Sequence, residues 1–174
     1  MNTANKLTIL RMILVPVFLV LISISSEGYN YTYAATAVFI VAAFTDFLDG
    51  YIARKKNQVT KFGKFMDPLA DKLIVISAMV ALVEMGRLQA WVVMIVIARE
   101  LAVTGLRTLA ASDGIIIAAS YFGKAKTVTQ IIAIIAMLLN MPCGIVIMGI
   151  AVVITVLSGI DYFYKNRNVL KIQD

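Results

Sequence analysis

The chain has 174 residues, 61% of them hydrophobic, with a net charge of +6 and a mean hydropathy of +0.90. Soluble domains sit nearer half apolar, so this composition excludes an ordinary water-soluble globule and points to a membrane protein. With no histidine and a single cysteine, Cys143, the commonest general base, an intrachain disulfide and a thiolate zinc cluster are all excluded.

Six apolar segments follow in chain order, at residues 7–26, 34–55, 63–86, 90–111, 121–140 and 145–164. Each has about the 20 residues that a helix needs to cross a bilayer. The first is too long for a signal peptide, and SISSEG after it lacks a small-residue cleavage pattern. Turn signals separate the segments: EGYNY (27–31), KKNQVT (55–60), GRLQ (86–89), SDG (112–114) and MPCG (141–144). The connections are short, so residues 1–174 form one all-α polytopic membrane domain with six transmembrane helices.

Orientation follows from the cations. Lys6, Lys55, Lys56, Lys61, Lys165, Arg167 and Lys171 fall on one side, with Arg54, Lys64, Lys124 and Lys126 just inside adjoining helix ends; the other side's loops hold only Arg87. Both termini are therefore expected in the cytoplasm. The basic excess suits anionic lipid rather than nucleic acid.

Against this background the segment DFLDGYIARKKNQVTKFGKFMDPLAD (46–71) is unusual. It carries four of the chain's ten acidic residues: Asp46, Asp49, Asp67 and Asp71. Helical neighbours three or four apart have Cβ atoms roughly 5–6 Å from one another. Asp46 and Asp49 therefore share a face near the end of helix 2, and Asp67 and Asp71 share one near the start of helix 3. The short loop between makes the helices antiparallel neighbours, so both pairs converge on one point. Such carboxylates repel one another and are costly to desolvate. One or two divalent cations relieve both problems, and oxygen ligands favour magnesium, manganese or calcium. Two ions about 3.5–4 Å apart suit phosphoryl chemistry. The bland alternative is an interfacial ion-pair network with Lys55, Lys56, Lys61, Lys64 and Lys72; it accounts for one aspartate far better than for four at this spacing.

The pattern Asp46-x2-Asp49-Gly50-x2-Ala53-Arg54-x8-Gly63-x3-Asp67-x3-Asp71 resembles the signature of the CDP-alcohol phosphotransferase family. The resemblance implies a six-helix membrane enzyme, usually a homodimer, that transfers a phosphatidyl or related group from a CDP-linked donor to an alcohol and releases CMP. It further implies that Asp46, Asp49, Asp67 and Asp71 hold Mg2+ or Mn2+, as two ions, and that Asp71 is the general base. Gly50, Ala53, Arg54 and Gly63 would line the CDP pocket. Read from the residues alone, a carboxylate, a lysine or a metal-bound hydroxide must take the hydroxyl proton, since histidine is absent.

Helix 4 carries IARELAVTGLR, which puts Arg99 and Arg107 on roughly one face, a little over two turns apart. An arginine inside a membrane helix is costly and marks function by default. The alternative for Arg99 is an internal pair with Glu100 or another acid, although adjacent helical residues do not face each other. Helix 5 opens with GKAKT, bringing Lys124 and Lys126, whose alternative role is as inner-leaflet anchors. Arg99, Arg107, Lys124 and Lys126 together are expected to bind the phosphate of the acceptor.

The IARE and TGLR elements, with Asn5-x2-Thr8-x2-Arg11, resemble the branch of the family whose acceptor is sn-glycerol 3-phosphate. Ala4 stands where that branch usually has proline. The resemblance implies that CDP-diacylglycerol and glycerol 3-phosphate give phosphatidylglycerol phosphate and CMP at the cytoplasmic face of a bacterial inner membrane. Asn5 and Thr8 would lie near the nucleotide; otherwise Asn5 is a helix N-cap. The alternatives are another acceptor, phosphatidylglycerol or inositol phosphate, or a divalent-cation transporter, which would place its acids near the midplane on broken helices.

Overall fold

The computed structural model describes the backbone of residues 3–26, 31–56, 61–112, 114–115, 117 and 121–167. Within these, the side chains at 3–4, 26, 46–56, 61–65 and 67–68 lie outside the described set. The described residues form six helices and no strand: α1 (Thr3–Ser26), α2 (Thr32–Lys56), α3 (Lys61–Glu84), α4 (Ala90–Ser112), α5 (Tyr121–Leu138) and α6 (Gly144–Lys165). Each coincides with one apolar segment of the sequence. α1 starts four residues earlier than its apolar run, because its polar first turn is also helical. Asn5 is therefore inside the helix and is not its N-cap.

The chain divides into two compact units. The first comprises Met1–Leu88 with Ile134–Met141, and the second Gln89–Ala133 with Pro142–Asp174.

In the first unit, α1 packs on both α2 and α3, and α2 packs on α3. The buried stripe of α1 is Thr8, Arg11, Val15, Phe18 and Ile22, a three-and-four spacing that keeps one face turned inward. Its partner stripe on α2 includes Ala35, Phe39 and Ala42, all fully buried. The alanines let the helices approach, and Phe18 meets Phe39 with ring centroids 6.1 Å apart at 51°. The stripe is apolar along most of α1 but polar toward its N-terminus, where Thr8 and Arg11 are completely buried.

Left-handed residues close three of the helices. Gly86 (φ 68°) follows α3, Gly114 (φ 74°) follows α4 and Asn140 (φ 55°) follows α5. In each case the next amide reaches back to a carbonyl of the last turn: Arg87 N to Leu82 O, Ile115 N to Ala110 O, Met141 N to Ala136 O. Only glycine, or a short polar residue such as asparagine, adopts that conformation cheaply. Arg87, the one cation of its side in the sequence, donates through Nη1 to the carbonyls of Met137 (3.0 Å) and Leu138 (2.9 Å). It thereby places positive charge on the negative end of α5.

In the second unit α4 packs on α6. Val103, Leu106 and Ala110 enclose Tyr162, with Ile117 and Phe163 against them. The outward faces of the helices are apolar: Leu10, Ile13, Val17 and Val20 on α1 and Ile150, Val153, Leu157 and Ile160 on α6 are all exposed. A water-facing helix would be polar there. α1 over Asn5–Ser25, α5 and α6 are long and apolar enough to cross a membrane.

Candidate active site

Asp46 and Asp49 occupy α2, and Asp67 and Asp71 occupy α3, so each pair is separated by about one helical turn. α2 and α3 pack against one another. This places two carboxylate-bearing turns on neighbouring helices, as the spacing predicts. The side chains of Asp46, Asp49 and Asp67 lie outside the described residues, as do those of Gly50, Ala53, Arg54 and Gly63. Asp71 is half-buried, and its Oδ1 accepts a 2.8 Å hydrogen bond from the backbone amide of Lys72. That bond limits the rotation of the carboxylate. The acidic residues on these turns offer carboxylate oxygens, a donor type that suits a hard divalent cation.

α1 belongs to the same unit. Thr8 is fully buried and Asn5 half-buried on its polar first turns. Arg11, one turn beyond Thr8, is equally buried. The sequence marked Arg11 only as part of an N-terminal pattern, yet it is among the largest fully buried side chains of the protein.

The four cations assigned to an acceptor phosphate divide into two kinds. Arg99 and Lys126 are internal. Glu100, itself buried, accepts through one oxygen, Oε1, from Arg99 Nη1 at 3.0 Å and from Lys126 Nζ. Arg99 and Glu100 do pair although they are sequence neighbours, because both side chains are long enough to bend toward one another. Arg99 Nη2 also donates to Ser158 Oγ at 3.0 Å. Below this pair the hydroxyls and amide of α5 and α6 continue the network. Gln130 Nε2 donates to Thr155 Oγ1 (2.9 Å), Thr155 Oγ1 to Ala151 O, and Ser158 Oγ to Thr155 O.

Gly159 completes the enclosure. A Cβ built there would lie 3.0 Å from Arg99 Cγ, so the arginine stem occupies the space a side chain would need. Lys126 is buried and is not a surface anchor. The signals missed in the sequence are the small residues Thr155, Ser158 and Gly159, whose three-to-four spacing marks a close helix contact.

Arg107 and Lys124 are exposed. Arg107 Nε donates to Tyr162 Oη at 2.8 Å, and its guanidinium carbon lies 5.3 Å from the ring centroid. Lys124 Nζ stands 5.5 Å from the Tyr121 ring centroid. Along α4 and α6 the contacts run in the same order, Arg99 to Ser158 and Arg107 to Tyr162, so the two helices are parallel. Arg99 and Arg107 thus meet one neighbour, as their spacing of eight residues predicts.

The helices that bear the signature in residues 46–71 pack against one another, beside a helix whose buried face turns polar at Thr8 and Arg11. The family model described as CDP-alcohol phosphatidyltransferase matches residues 1–157, and the chain belongs to that family. It is 44% identical to the CDP-diacylglycerol–glycerol-3-phosphate 3-phosphatidyltransferase of Bacillus subtilis (strain 168) over 188 aligned positions, covering 98% of this chain and 97% of the relative. It is 40% identical to a probable phosphatidylglycerophosphate synthase of Mycobacterium tuberculosis, covering 92% and 79%. It is also 35% identical to the CDP-diacylglycerol–glycerol-3-phosphate 3-phosphatidyltransferase of Rickettsia typhi, covering 93% and 95%.

Proposed function

We infer that the chain is a membrane enzyme that transfers the phosphatidyl group of CDP-diacylglycerol to sn-glycerol 3-phosphate, giving phosphatidylglycerol phosphate and CMP. The observation that carries this reading is near-full-length similarity to transferases named for that reaction, joined to carboxylate pairs on packed helices α2 and α3. All six helices span the bilayer, with both termini cytoplasmic. α2, α3 and α4 carry the charges that a spanning helix ordinarily lacks, and those charges are the functional residues.

Asp46, Asp49, Asp67 and Asp71 would hold Mg2+ or Mn2+, which when bound offsets the charge of the donor pyrophosphate. Asp71 takes the proton of the glycerol hydroxyl. The hydroxyl oxygen bonds to the phosphorus that bears diacylglycerol, and the anhydride bond to CMP breaks. Arg54 stabilises the departing CMP with its planar fork. Gly50, Ala53 and Gly63 leave room for the nucleotide against the backbone, with Asn5 and Thr8 close to it. Arg107 and Lys124 hold the acceptor phosphate, while Arg99 and Lys126, tied to Glu100, fix the helices that present them.

The test is lipid analysis of the purified protein in detergent, given CDP-diacylglycerol and one acceptor at a time. Phosphatidylglycerol phosphate should form with glycerol 3-phosphate. Cardiolipin from phosphatidylglycerol, or a phosphatidylinositol phosphate from inositol phosphate, would keep the family and replace the acceptor. No CMP release with any acceptor would sink the enzyme reading.

A further inference from the structure

We propose that Tyr162 is a positioning residue for Arg107, setting the guanidinium so that its two terminal NH2 groups face the acceptor phosphate together. The proposal rests on the reading that Arg107 holds that phosphate. Tyr162 is 3% exposed, locked among Val103, Leu106 and Ala110. Its hydroxyl accepts from Arg107 Nε at 2.8 Å, and its ring lies beside the guanidinium. Arg107 itself is exposed, and Nη1 and Nη2 make no hydrogen bond among the described residues.

The geometry decides which edge of the guanidinium is used. A guanidinium can grip an oxyanion through Nε and one terminal nitrogen, or through both terminal nitrogens. With Nε bonded to a buried hydroxyl, the first edge is taken and the second is left. A free arginine of this length would sample many rotamers, and fixing them on binding costs affinity. A rigid tyrosine on a neighbouring helix removes part of that cost beforehand. Arg99 offers a contrast on the same two helices. Its Nη1 and Nη2 are bonded to Glu100 and Ser158, while its Nε is buried without a partner among the described residues, the reverse of Arg107.

The experiment is steady-state kinetics on Tyr162→Phe, Arg107→Ala, Arg107→Lys and the Tyr162→Phe/Arg107→Ala double variant, with both substrates varied. Tyr162→Phe keeps the ring and removes one hydrogen bond to a charged group, so the glycerol 3-phosphate KM should rise about tenfold. The CDP-diacylglycerol KM should stay unchanged. In the Arg107→Ala background the same substitution should add nothing, because its effect passes through Arg107. Arg107→Lys keeps the charge and loses Nε, and should raise the acceptor KM at least as much. An unchanged acceptor KM in Tyr162→Phe, with a raised one in Arg107→Ala, overturns the positioning role alone. A Tyr162→Phe effect that persists in the Arg107→Ala background also overturns it, by assigning the effect to packing. Should Tyr162→Phe not fold, Arg107→Lys still decides, since a wild-type acceptor KM there overturns the proposal. An unchanged acceptor KM in Arg107→Ala overturns both this role and the acceptor reading beneath it.

Discussion

In residues 46–71 the chain places carboxylates in pairs, each pair about one turn apart, on two packed helices; in α4–α6 one carboxylate, Glu100, is shared by two cations. On the function proposed above, the first arrangement is met by divalent cations from outside the chain. The second meets most of its charge internally. Ionisable residues in a membrane helix are costly unless they are partnered or functional, and the proposed function gives these aspartates the role of a cation site. A carboxylate shared by two buried cations is a structural joint, and breaking it is far more damaging than its net contribution suggests. The exposed cations Arg107 and Lys124 lie outside that joint. Charge inside a membrane protein is thus no single signal: Glu100, Arg99 and Lys126 are balanced against one another and form a joint.

The largest effect belongs to Asp71→Asn, which preserves shape and removes the proposed base. CMP release should fall about 10²–10⁴-fold while CDP-diacylglycerol binding is kept. Near-normal turnover at neutral pH would remove the base assignment, and partial rescue by excess metal would make Asp71 a ligand first.

Glu100→Ala tests the joint. It leaves Arg99 and Lys126 buried without their shared carboxylate, a loss of about 3–5 kcal/mol for such groups. The thermal midpoint in detergent should drop by about 10 °C. Glu100→Gln, which keeps an acceptor oxygen, should lose less. If Glu100→Ala were as stable as wild type but unable to use the acceptor, Glu100 would belong to the site and not to a structural joint.

Gly159→Ala is a gentler probe of the same joint. Its Cβ would meet Arg99 Cγ at 3.0 Å, so the stem must shift by a few tenths of an ångström. The expected cost is about 1 kcal/mol, or a midpoint lower by about 2–4 °C. A rise in the midpoint would show that the site had been underfilled.

Much of this was legible in the sequence, and the legible parts share a cause. Helix positions follow from apolar runs of bilayer length, and the three left-handed closures include the glycines of GRLQ and SDG. The aspartate pairs are legible because spacing along one helix fixes a shared face. Contacts between helices are not written that way. Nothing in the spacing of Glu100 and Lys126 joins them, and a neighbour rule for helices argues against Arg99 with Glu100. Arg87 shows the same limit. Its sequence position suggested an orientation signal, while its side chain caps α5. Tyr162 was invisible for a further reason: a tyrosine near a helix end reads as an interfacial anchor until its hydroxyl is seen against Arg107.

The measurement that bears most directly on the central claim needs no mutation. CMP release from CDP-diacylglycerol is compared with glycerol 3-phosphate and with glycerol as acceptor, at matched concentrations. A pocket built to read a phosphate leaves its cations unpaired when the phosphate is missing, and discriminates strongly against the shorter analogue. CMP release should be rapid with glycerol 3-phosphate and very slow with glycerol. Equal use of the two would contradict it, leaving the family membership in place and removing the acceptor.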